Sequence, residues 1–224
     1  MLDLTIIIPT NRPHEKYVDK VIENINSIPT NYSYQISVCS EEEAKGENVK
    51  WIKEHGRQGP IAAFNFAAHE CDSDYVCCLV DDHVFSSNFS AGVEFLESNY
   101  KQARFPIATL SYGPLNYNPV KGQLLGSSPI DFDVAAYPLC KFPIFHKRAL
   151  KELGGCIFHP DLFYHAGDIL LGYYMGMNGE PCRNAPVGIQ PRNPKKDSSY
   201  EVSDCEKVKS VIKKYVEGER NYLV

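Results

Sequence analysis

The sequence predicts a single α/β domain in which helices flank a mainly parallel central sheet. Two apolar runs, over residues 4–8 and 75–80, have the composition of strands that are buried on both faces. Segments with helical spacing of apolar residues alternate with such runs, and this order requires parallel strands joined by right-handed crossovers. The length of 224 residues also suits one domain with a sizeable core.

The first predicted elements are a strand and the helix that packs on it. The apolar run over residues 4–8 is mostly β-branched and ends before Pro13, which suits the first turn of a helix. The apolar residues that follow recur at the i, i+3, i+4, i+7 spacing of an amphipathic helix, and they are Val18, Val21, Ile22 and Ile25. A second strand is predicted over residues 34–39, and a short third strand over 49–52.

The next elements lead into and away from the clearest strand. Gly59-Pro60 opens a second helix, whose alanines allow close packing. The strand over residues 75–80 follows and ends abruptly at a polar triplet. A third helix is then indicated by apolar residues at helical spacing, which are Phe89, Val93, Leu96 and Tyr100.

The second half of the chain has a less regular pattern. Residues 105–145 are predicted to form mixed strands and loops, with one strand piece over 107–110. A short helix is predicted over residues 147–153, stopped by Gly154-Gly155, and another helix over 169–177.

The C-terminal region is predicted to contain a loop and then a helix. Residues 184–200 carry prolines and lysines, which favours a loop. Ser203 and Glu206 form a capping box ahead of apolar residues at helical spacing. No linker or internal repeat divides the chain, so we expect one domain over residues 1–224.

Composition and charge exclude several classes of protein. A net charge of −5 gives no indication of a nucleic-acid partner. No apolar stretch approaches the ~20 residues that a transmembrane helix needs, and Asp3 and Pro9 interrupt the N-terminal run too early for a signal peptide. We therefore expect a cytoplasmic location, while the oligomeric state stays open. The eight cysteines contain no C-x-x-C pair and are expected to be buried free thiols.

Three polar clusters follow predicted strands and are the candidates for a ligand site. They are Thr10-Asn11-Arg12, Ser40-Glu41 and Asp81-Asp82-His83. Ligands bind beyond the carboxyl ends of the strands in open parallel sheets. The third cluster is costly to bury without a counter-charge, which Mn²⁺ or Mg²⁺ would supply. The alternatives are that the two aspartates only cap the turn or the next helix, and that His83 is a solvent-facing turn residue.

Five segments in this order resemble glycosyltransferase family 2, the inverting nucleotide-sugar transferases of the GT-A fold. The segments are Leu4 to Pro13, Gly59 to Ala67, Tyr75 to Asp82, Phe145 to Gly155 and Ala166 to Gly172. The resemblance covers roughly residues 3–180, and the order and spacing of the segments are more specific than any one of them. Three positions depart from the family pattern: Phe64 replaces an arginine, Gly167 replaces a glutamate, and His83 replaces an aspartate common in relatives.

The resemblance implies a role for each candidate residue. Asp82 and His83 would bind Mn²⁺ or Mg²⁺, and Asp168 would be the general base, with Asp161 as a rival base and helix capping as the other role for Asp168. The residues implied in nucleotide binding are Thr10, Asn11, Arg12, Ser40, Glu41, Gly59, Asn65 and Asp81. Three basic residues of the C-terminal loop either close over the diphosphate or are solvated, namely Arg192, Lys195 and Lys196.

The resemblance also implies an activity and a division of the chain. The expected enzyme is a hexosyltransferase that takes a nucleotide-diphosphate sugar, with a UDP-sugar favoured, and a carbohydrate or other hydroxyl as acceptor. Residues 1–100 would be the nucleotide-binding half, 101–200 the acceptor half and 201–224 the C-terminal helix. Two alternatives stay open: an inactive nucleotide- or carbohydrate-binding module, and a sugar-nucleotide nucleotidyltransferase. The second alternative calls for a glycine-rich loop after the first strand, which Pro9-Thr10-Asn11-Arg12 lacks.

Overall fold

The computed structural model describes residues 2–112 except 55, 57 and 58, residues 139–162 and 167–192, and residues 210, 211, 213 and 214. The strands are β1 (Leu4–Pro9), β2 (Tyr34–Ser40), β3 (Val49–Lys53), β4 (Tyr75–Cys78), β5 (His83–Phe85), β6 (Ile107–Tyr112), β7 (Pro143–His146) and β8 (Arg183–Pro191). The helices are α1 (Val18–Asn26), α2 (Pro60–Glu70), α3 (Ser90–Asn99), α4 (Ala149–Glu152) and α5 (Gly167–Met177), and a 3-10 turn spans His14–Lys16. The predicted α/β class and the predicted early elements are therefore confirmed.

The first half of the sheet is parallel. The eight described strands form one sheet in the order β3-β2-β1-β4-β7-β6-β8-β5. Leu4 pairs with Tyr34 on one side of β1 and with Tyr75 on the other side, and both ladders are parallel. These two ladders place β1 between β2 and β4, as right-handed crossovers on opposite faces require.

The second half of the sheet is mixed in direction. β7 runs antiparallel to both β4 and β6, whereas β8 runs parallel to β6 and antiparallel to β5. The expectation of a mainly parallel sheet therefore holds for the first half, and antiparallel pairs close the second half.

The predicted loop over residues 184–200 is wrong as far as Pro191. This part of the chain is the strand β8, in which Ala185, Val187 and Ile189 are fully buried and Pro186 faces outward. Pro186 lies where the β6–β8 register shifts, a position at which a missing N–H breaks no regular ladder bond. Because prolines are typical of loops, the sequence predicted a loop here although the burial pattern is that of a strand.

Each face of the sheet has its own hydrophobic core. β1 contributes to both cores, because Ile6 and Ile8 face one side and Ile7 faces the other. Apolar residues of α1 and α3 fill the core on the Ile6 side, and those of α2, α4 and α5 fill the core on the Ile7 side. Burial therefore drives the helices α1 to α5 onto the sheet, with α1 and α3 on one face and α2, α4 and α5 on the other.

The cysteines behave as predicted where they are described. Six of them are buried free thiols, whereas Cys156 is half-buried and Cys205 lies outside the described residues. The buried free thiols are Cys39, Cys71, Cys77, Cys78, Cys140 and Cys182.

Two other expectations concern helices. Residues 210, 211, 213 and 214 are helical, and the rest of the predicted C-terminal helix lies outside the described residues. Within the described part of the chain, none of the helices combines the length and the hydrophobicity that crossing a bilayer demands.

Candidate functional site

The sheet has a crevice at the carboxyl ends of β1 and β4. The chain leaves β1 toward β2 on one side and later returns to form β4 on the other side, so the strand order reverses between them. Such a switch point leaves a cleft that the crossover helices do not cover, and ligands of open α/β sheets bind there. Two of the three predicted polar clusters border this crevice, one after β1 and one after β4.

A hydrogen bond joins the two clusters across the crevice. The Thr10 hydroxyl donates to Asp81 Oδ2 over 2.5 Å, and the Arg12 N–H donates to the same hydroxyl over 3.1 Å. Asp81 is only 5% exposed, and burial raises the pKa of its carboxyl group. The bond from Thr10 and the charge of Arg12 lower this pKa but do not outweigh burial. The Asp81 carboxyl group is therefore firmly held, and its ionisation costs free energy because the group is buried.

Arg12 lies between the two carboxylates. Its Nη1 atom is 3.7 Å from Asp81 Oδ1 and 3.3 Å from Asp82 Oδ2. The guanidinium also lies over the Tyr17 ring, 4.9 Å from the ring centre. A planar cation stacked in this way is oriented for bidentate contacts with oxygen anions. Arg12 therefore places a fixed positive charge at the mouth of the crevice.

Asp82 is the more accessible of the two aspartates. Its side chain is 32% exposed, and its Oδ1 atom lies 2.6 Å from His83 Nδ1. Burial on its own raises the pKa of Asp82, but the bond from His83 and the charges of His83 and Arg12 outweigh burial and lower the pKa. Asp82 is therefore held as a carboxylate at the edge of the site.

The solvent-facing alternative for His83 is wrong. His83 begins β5, is only 9% exposed and lies 5.0 Å, ring centre to ring centre, from buried Phe142. Its Nδ1 atom holds Asp82, so His83 fixes the carboxylate that follows β4. The sequence marked His83 as a candidate but gave no sign of this packing.

The donor atoms of this cluster fit a divalent ion only in part. Carboxylate oxygens are the ligands that Mg²⁺ and Mn²⁺ prefer, and Asp82 presents them next to solvent. No group of three His, Cys, Asp or Glu side chains within the described ranges could hold a metal ion. Asp82 with His83 would therefore need an oxygen-rich ligand to complete the coordination of a metal.

Arg192 closes the site from β8. Its N–H donates to the Asp82 carbonyl over 2.8 Å, and its guanidinium donates to the Tyr17 carbonyl over 2.6 Å and to the Lys16 carbonyl. The end of β8 is thus tied both to the aspartate turn and to the segment after β1. The predicted partners in the same loop, Lys195 and Lys196, lie outside the described residues.

The residues of the β2 cluster have less direct positions. The Ser40 hydroxyl donates to the Glu42 carbonyl over 2.6 Å, and the Ser40 carbonyl accepts the Trp51 Nε1–H over 3.2 Å. Glu41 is exposed, as is Asn11 after β1. Ser40 therefore shapes the loop, while Glu41 and Asn11 are open to solvent at the sheet edge.

Gly59 directly precedes α2 as its N-cap and has a backbone conformation that favours glycine. Its φ angle of 86° lies in the left-handed region, and its carbonyl accepts the Ala63 N–H over 3.3 Å. The glycine therefore allows the turn from which α2 starts, at the same edge of the sheet.

Asn65 bonds to the backbone of Phe158. It is 7% exposed, and its amide makes two bonds there: Nδ2 donates to the Phe158 carbonyl over 2.8 Å, and Oδ1 accepts the Phe158 N–H over 3.0 Å. The structure gives Asn65 a bridging position between α2 and the segment before α5.

Asp168 is connected to the aspartate pair through Cys140, Phe142 and His83. It is the second residue of α5 and is half-buried, and its carbonyl accepts the Cys140 N–H over 3.1 Å. Cys140 lies two residues before Phe142, the ring that packs on His83. The rival Asp161 is exposed and donates its N–H to His159 Nδ1 over 3.2 Å. Both aspartates therefore stay candidates, and Asp168 is the one linked to the crevice.

The chain is similar to known proteins in sequence and in structure. The sequence model described as Glycosyl transferase family 2 matches residues 5–153. No curated protein matches the sequence at a significant level.

Solved structures of similar fold include three that hold nucleotides. The mannosyltransferase PcManGT from Pyrobaculum calidifontis, in complex with GDP-Man and Mn²⁺, is 17% identical with a TM-score of 0.61 over 87% of this chain and 58% of that chain. Residues 1-349 of S. aureus TarS, in complex with UDP-GlcNAc, are 16% identical with a TM-score of 0.60 over 94% of this chain and 65% of that chain. GalNAc-T7 with UDP, GalNAc and Mn²⁺ is 11% identical with a TM-score of 0.61 over 85% of this chain and 44% of that chain. The chain thus shares a fold with these structures and spans less than two thirds of the length of each.

Proposed function

The chain belongs to glycosyl transferase family 2 and has the GT-A fold, and from this premise we propose that it transfers a sugar from a nucleoside-diphosphate donor to an acceptor hydroxyl. We further propose a UDP-sugar as donor, inversion at the anomeric carbon and dependence on Mn²⁺ or Mg²⁺. The observation that carries the proposal is the bonded pair Thr10 and Asp81 at the switch point, with Asp82 and His83 beside it. A ligand in this crevice meets carboxylates that suit a metal and an arginine that suits a phosphate.

Charge supports a diphosphate as part of the ligand. The crevice contains two carboxylates and Arg12, so an added divalent cation would give it a net positive charge that attracts a diphosphate. Asp82, oriented by His83, would hold the metal, and Asp81 with Thr10 would face the ribose. When bound, the metal neutralises charge on the diphosphate leaving group. Arg12 contributes a second positive charge from the protein itself.

The acceptor side is proposed to lie at the start of α5. An inverting transfer needs one base to take the proton of the attacking hydroxyl while the sugar–phosphate bond breaks on the opposite side. The Asp168 carbonyl accepts the Cys140 N–H, and Cys140 lies two residues before Phe142, whose ring packs on His83; these contacts support a place for α5 beside the crevice. We assign the base to Asp168 and retain Asp161 as the alternative.

Uridine is the proposed nucleoside. Similar folds are found in TarS with UDP-GlcNAc and in GalNAc-T7 with UDP, although PcManGT was solved with GDP-Man. Thr10 and the exposed Glu41 follow neighbouring strands, so a nucleoside placed between them would meet one hydroxyl and one carboxylate. The choice of uridine rests on the resemblance, and a competition between UDP, GDP and dTDP tests it. Tighter binding of GDP or dTDP would contradict the assignment.

The activity itself is tested by binding and turnover measured together. Calorimetry with UDP, with and without Mn²⁺, should show binding that depends on the metal and that EDTA abolishes. Release of UDP from UDP-GlcNAc, in the presence of candidate acceptors, should then show turnover. Binding without turnover of any nucleotide sugar would favour the inactive binding module. Formation of a nucleotide sugar from a sugar phosphate and UTP would favour the nucleotidyltransferase.

A further inference from the structure

We propose that Asn65 is a positioning residue, which holds Phe158 in place so that Phe158 and Gly167 fix the first turn of α5 and with it Asp168. The inference rests on the proposed role of Asp168 as the base. It gives Asn65 a role that differs from the nucleotide contact expected from the sequence. Three consecutive contacts connect Asn65 to Asp168.

The first contact is a clamp between a side chain and a backbone. The Asn65 amide donates to the Phe158 carbonyl and accepts from the Phe158 N–H, at 2.8 and 3.0 Å. Phe158 lies outside any helix or strand and is only 4% exposed, so its backbone needs partners that no ladder provides. The Phe64 ring, 5.8 Å from the Phe158 ring, packs from the same helix. α2 therefore fixes both the backbone and the ring of Phe158.

The second contact is between Phe158 and the start of α5. A Cβ atom at Gly167 would lie 2.9 Å from Phe158 Cδ1, 3.2 Å from Phe158 Cβ and 3.1 Å from Ile61 Cδ1. The φ angle of Gly167 is not in the left-handed region, so space alone requires a glycine here. The absence of a side chain lets the α5 backbone lie directly against Phe158 and α2.

The third contact holds the other side of the same turn. The Asp168 carbonyl accepts the Cys140 N–H over 3.1 Å, and Cys140 is fully buried. Asp168 is thus held on one side by the packing of Gly167 on Phe158 and on the other by a bond to Cys140, in the segment before β7 that also carries Phe142. If Phe158 cannot move, any atom added at Gly167 must displace the α5 turn. Displacement of that turn moves the carboxylate of Asp168.

Two variants break the series at different points. Asn65→Ala removes both bonds to Phe158, and Gly167→Ala introduces the overlap while leaving the clamp intact. In each variant we expect kcat for UDP release from UDP-GlcNAc to fall by up to about 100-fold, since a displacement of about 1 Å is enough for that loss. The affinity for UDP with Mn²⁺ should stay within about twofold of the parent, because both variants leave Thr10, Asp81 and Asp82 unchanged.

A second substitution should restore what Gly167→Ala loses. Phe158→Leu replaces the rigid ring with a smaller, more flexible side chain and keeps the backbone clamp, so the double variant should regain several-fold in kcat. Gly92→Ala is the matched control: its Cβ would lie 2.6 Å from Ile144 Cδ1 in the other core. This control should lower the melting temperature in a similar way without the loss of kcat.

The outcomes separate this inference from the proposed function. Loss of turnover in Asp168→Asn with full turnover in Asn65→Ala and Gly167→Ala would overturn the positioning role and leave Asp168 as the base. Full turnover in Asp168→Asn would overturn the base assignment. If Gly92→Ala lost as much kcat as Gly167→Ala, general destabilisation would explain the result and the positioning role would fail. Selective loss in Asn65→Ala and Gly167→Ala, with recovery by Phe158→Leu, supports the inference.

Discussion

The Thr10 hydroxyl donates to Asp81 Oδ2 over 2.5 Å, although 71 positions separate the two residues along the chain. The bond spans the crevice between the ends of β1 and β4. It gives a buried carboxylate one strong partner while leaving its second oxygen toward Arg12. Asp81 is therefore both the carboxylate that is most costly to ionise and the one that is most firmly held. This combination is expected where a site is pre-organised for a cation.

The first prediction concerns the stability of Asp81→Asn. The pKa of Asp81 is raised above its ordinary value of 3.8, so the folded protein holds this proton more tightly than the unfolded chain. Ionisation of Asp81 therefore lowers the free energy of unfolding. This loss is absent well below pH 3.8, grows between pH 3.8 and the raised pKa, and is complete above the raised pKa. The asparagine variant should melt at a higher temperature than the parent at pH 7 when no metal or nucleotide is present.

Thermal melts over a series of pH values check this prediction. The advantage of Asp81→Asn should shrink as the pH falls and vanish in acid. Asp82, whose pKa is lowered, has the opposite pH dependence, but it is present in both proteins and largely cancels in the difference. A lower melting temperature for the variant at pH 7 would mean that the pairing with Arg12 outweighs burial.

The second prediction concerns metal-dependent binding. Asp82→Ala should remove the part of UDP binding that depends on Mn²⁺, because it removes the accessible carboxylate of the cluster. The fold should be retained, since the side chain is 32% exposed and leaves no buried cavity. Calorimetry with UDP and Mn²⁺ measures the effect. Glu43→Gln is the control, because Glu43 is exposed and forms an ion pair with Lys45. Parental binding by Asp82→Ala would place the metal elsewhere.

The third prediction distinguishes the two candidate bases. Asp168→Asn keeps the shape of the side chain but cannot accept the acceptor proton, so kcat should fall by about 10²–10⁴-fold with UDP affinity unchanged. Asp161→Asn, on an exposed residue of the preceding segment, should retain kcat. Steady-state kinetics of both variants provide the comparison. The reverse pattern would move the base to Asp161.

The fourth prediction concerns Arg192. Its guanidinium bonds to the carbonyls of Lys16 and Tyr17, and alanine removes both bonds. Arg192→Ala should therefore lower the free energy of unfolding by about 1–3 kcal/mol. Arg192→Lys should recover only part of this, because one ammonium group does not reproduce the planar fork. Urea denaturation measures both variants, with Lys53→Ala at the exposed end of β3 as the control. Equal stability of all four proteins would show that the bonds contribute nothing.

The sequence predicted much of the fold because local patterns determine those parts. In the run over residues 4–8 every residue but Thr5 is apolar and all but Leu4 are β-branched, a composition typical of a strand that is buried on both faces. The four apolar residues of α1 share one face at helical spacing, and all four are buried. β8 was missed because Pro186 and Pro191 signal a loop locally, while its pairing with β6 comes from residues more than 70 positions earlier.

For the site, the sequence by itself determined which residues are clustered along the chain and where strands end. Asp81 and Asp82 are adjacent and must follow β4 together. Only the tertiary structure decided that Thr10 bonds Asp81, that Phe142 packs on His83, and that Asn65 bonds Phe158. The physical reason is that periodicity reports which face of an element is buried, a property of neighbouring residues. Which side chains meet across that buried face depends on strand order and crossover direction, and these are decided by packing over the whole domain.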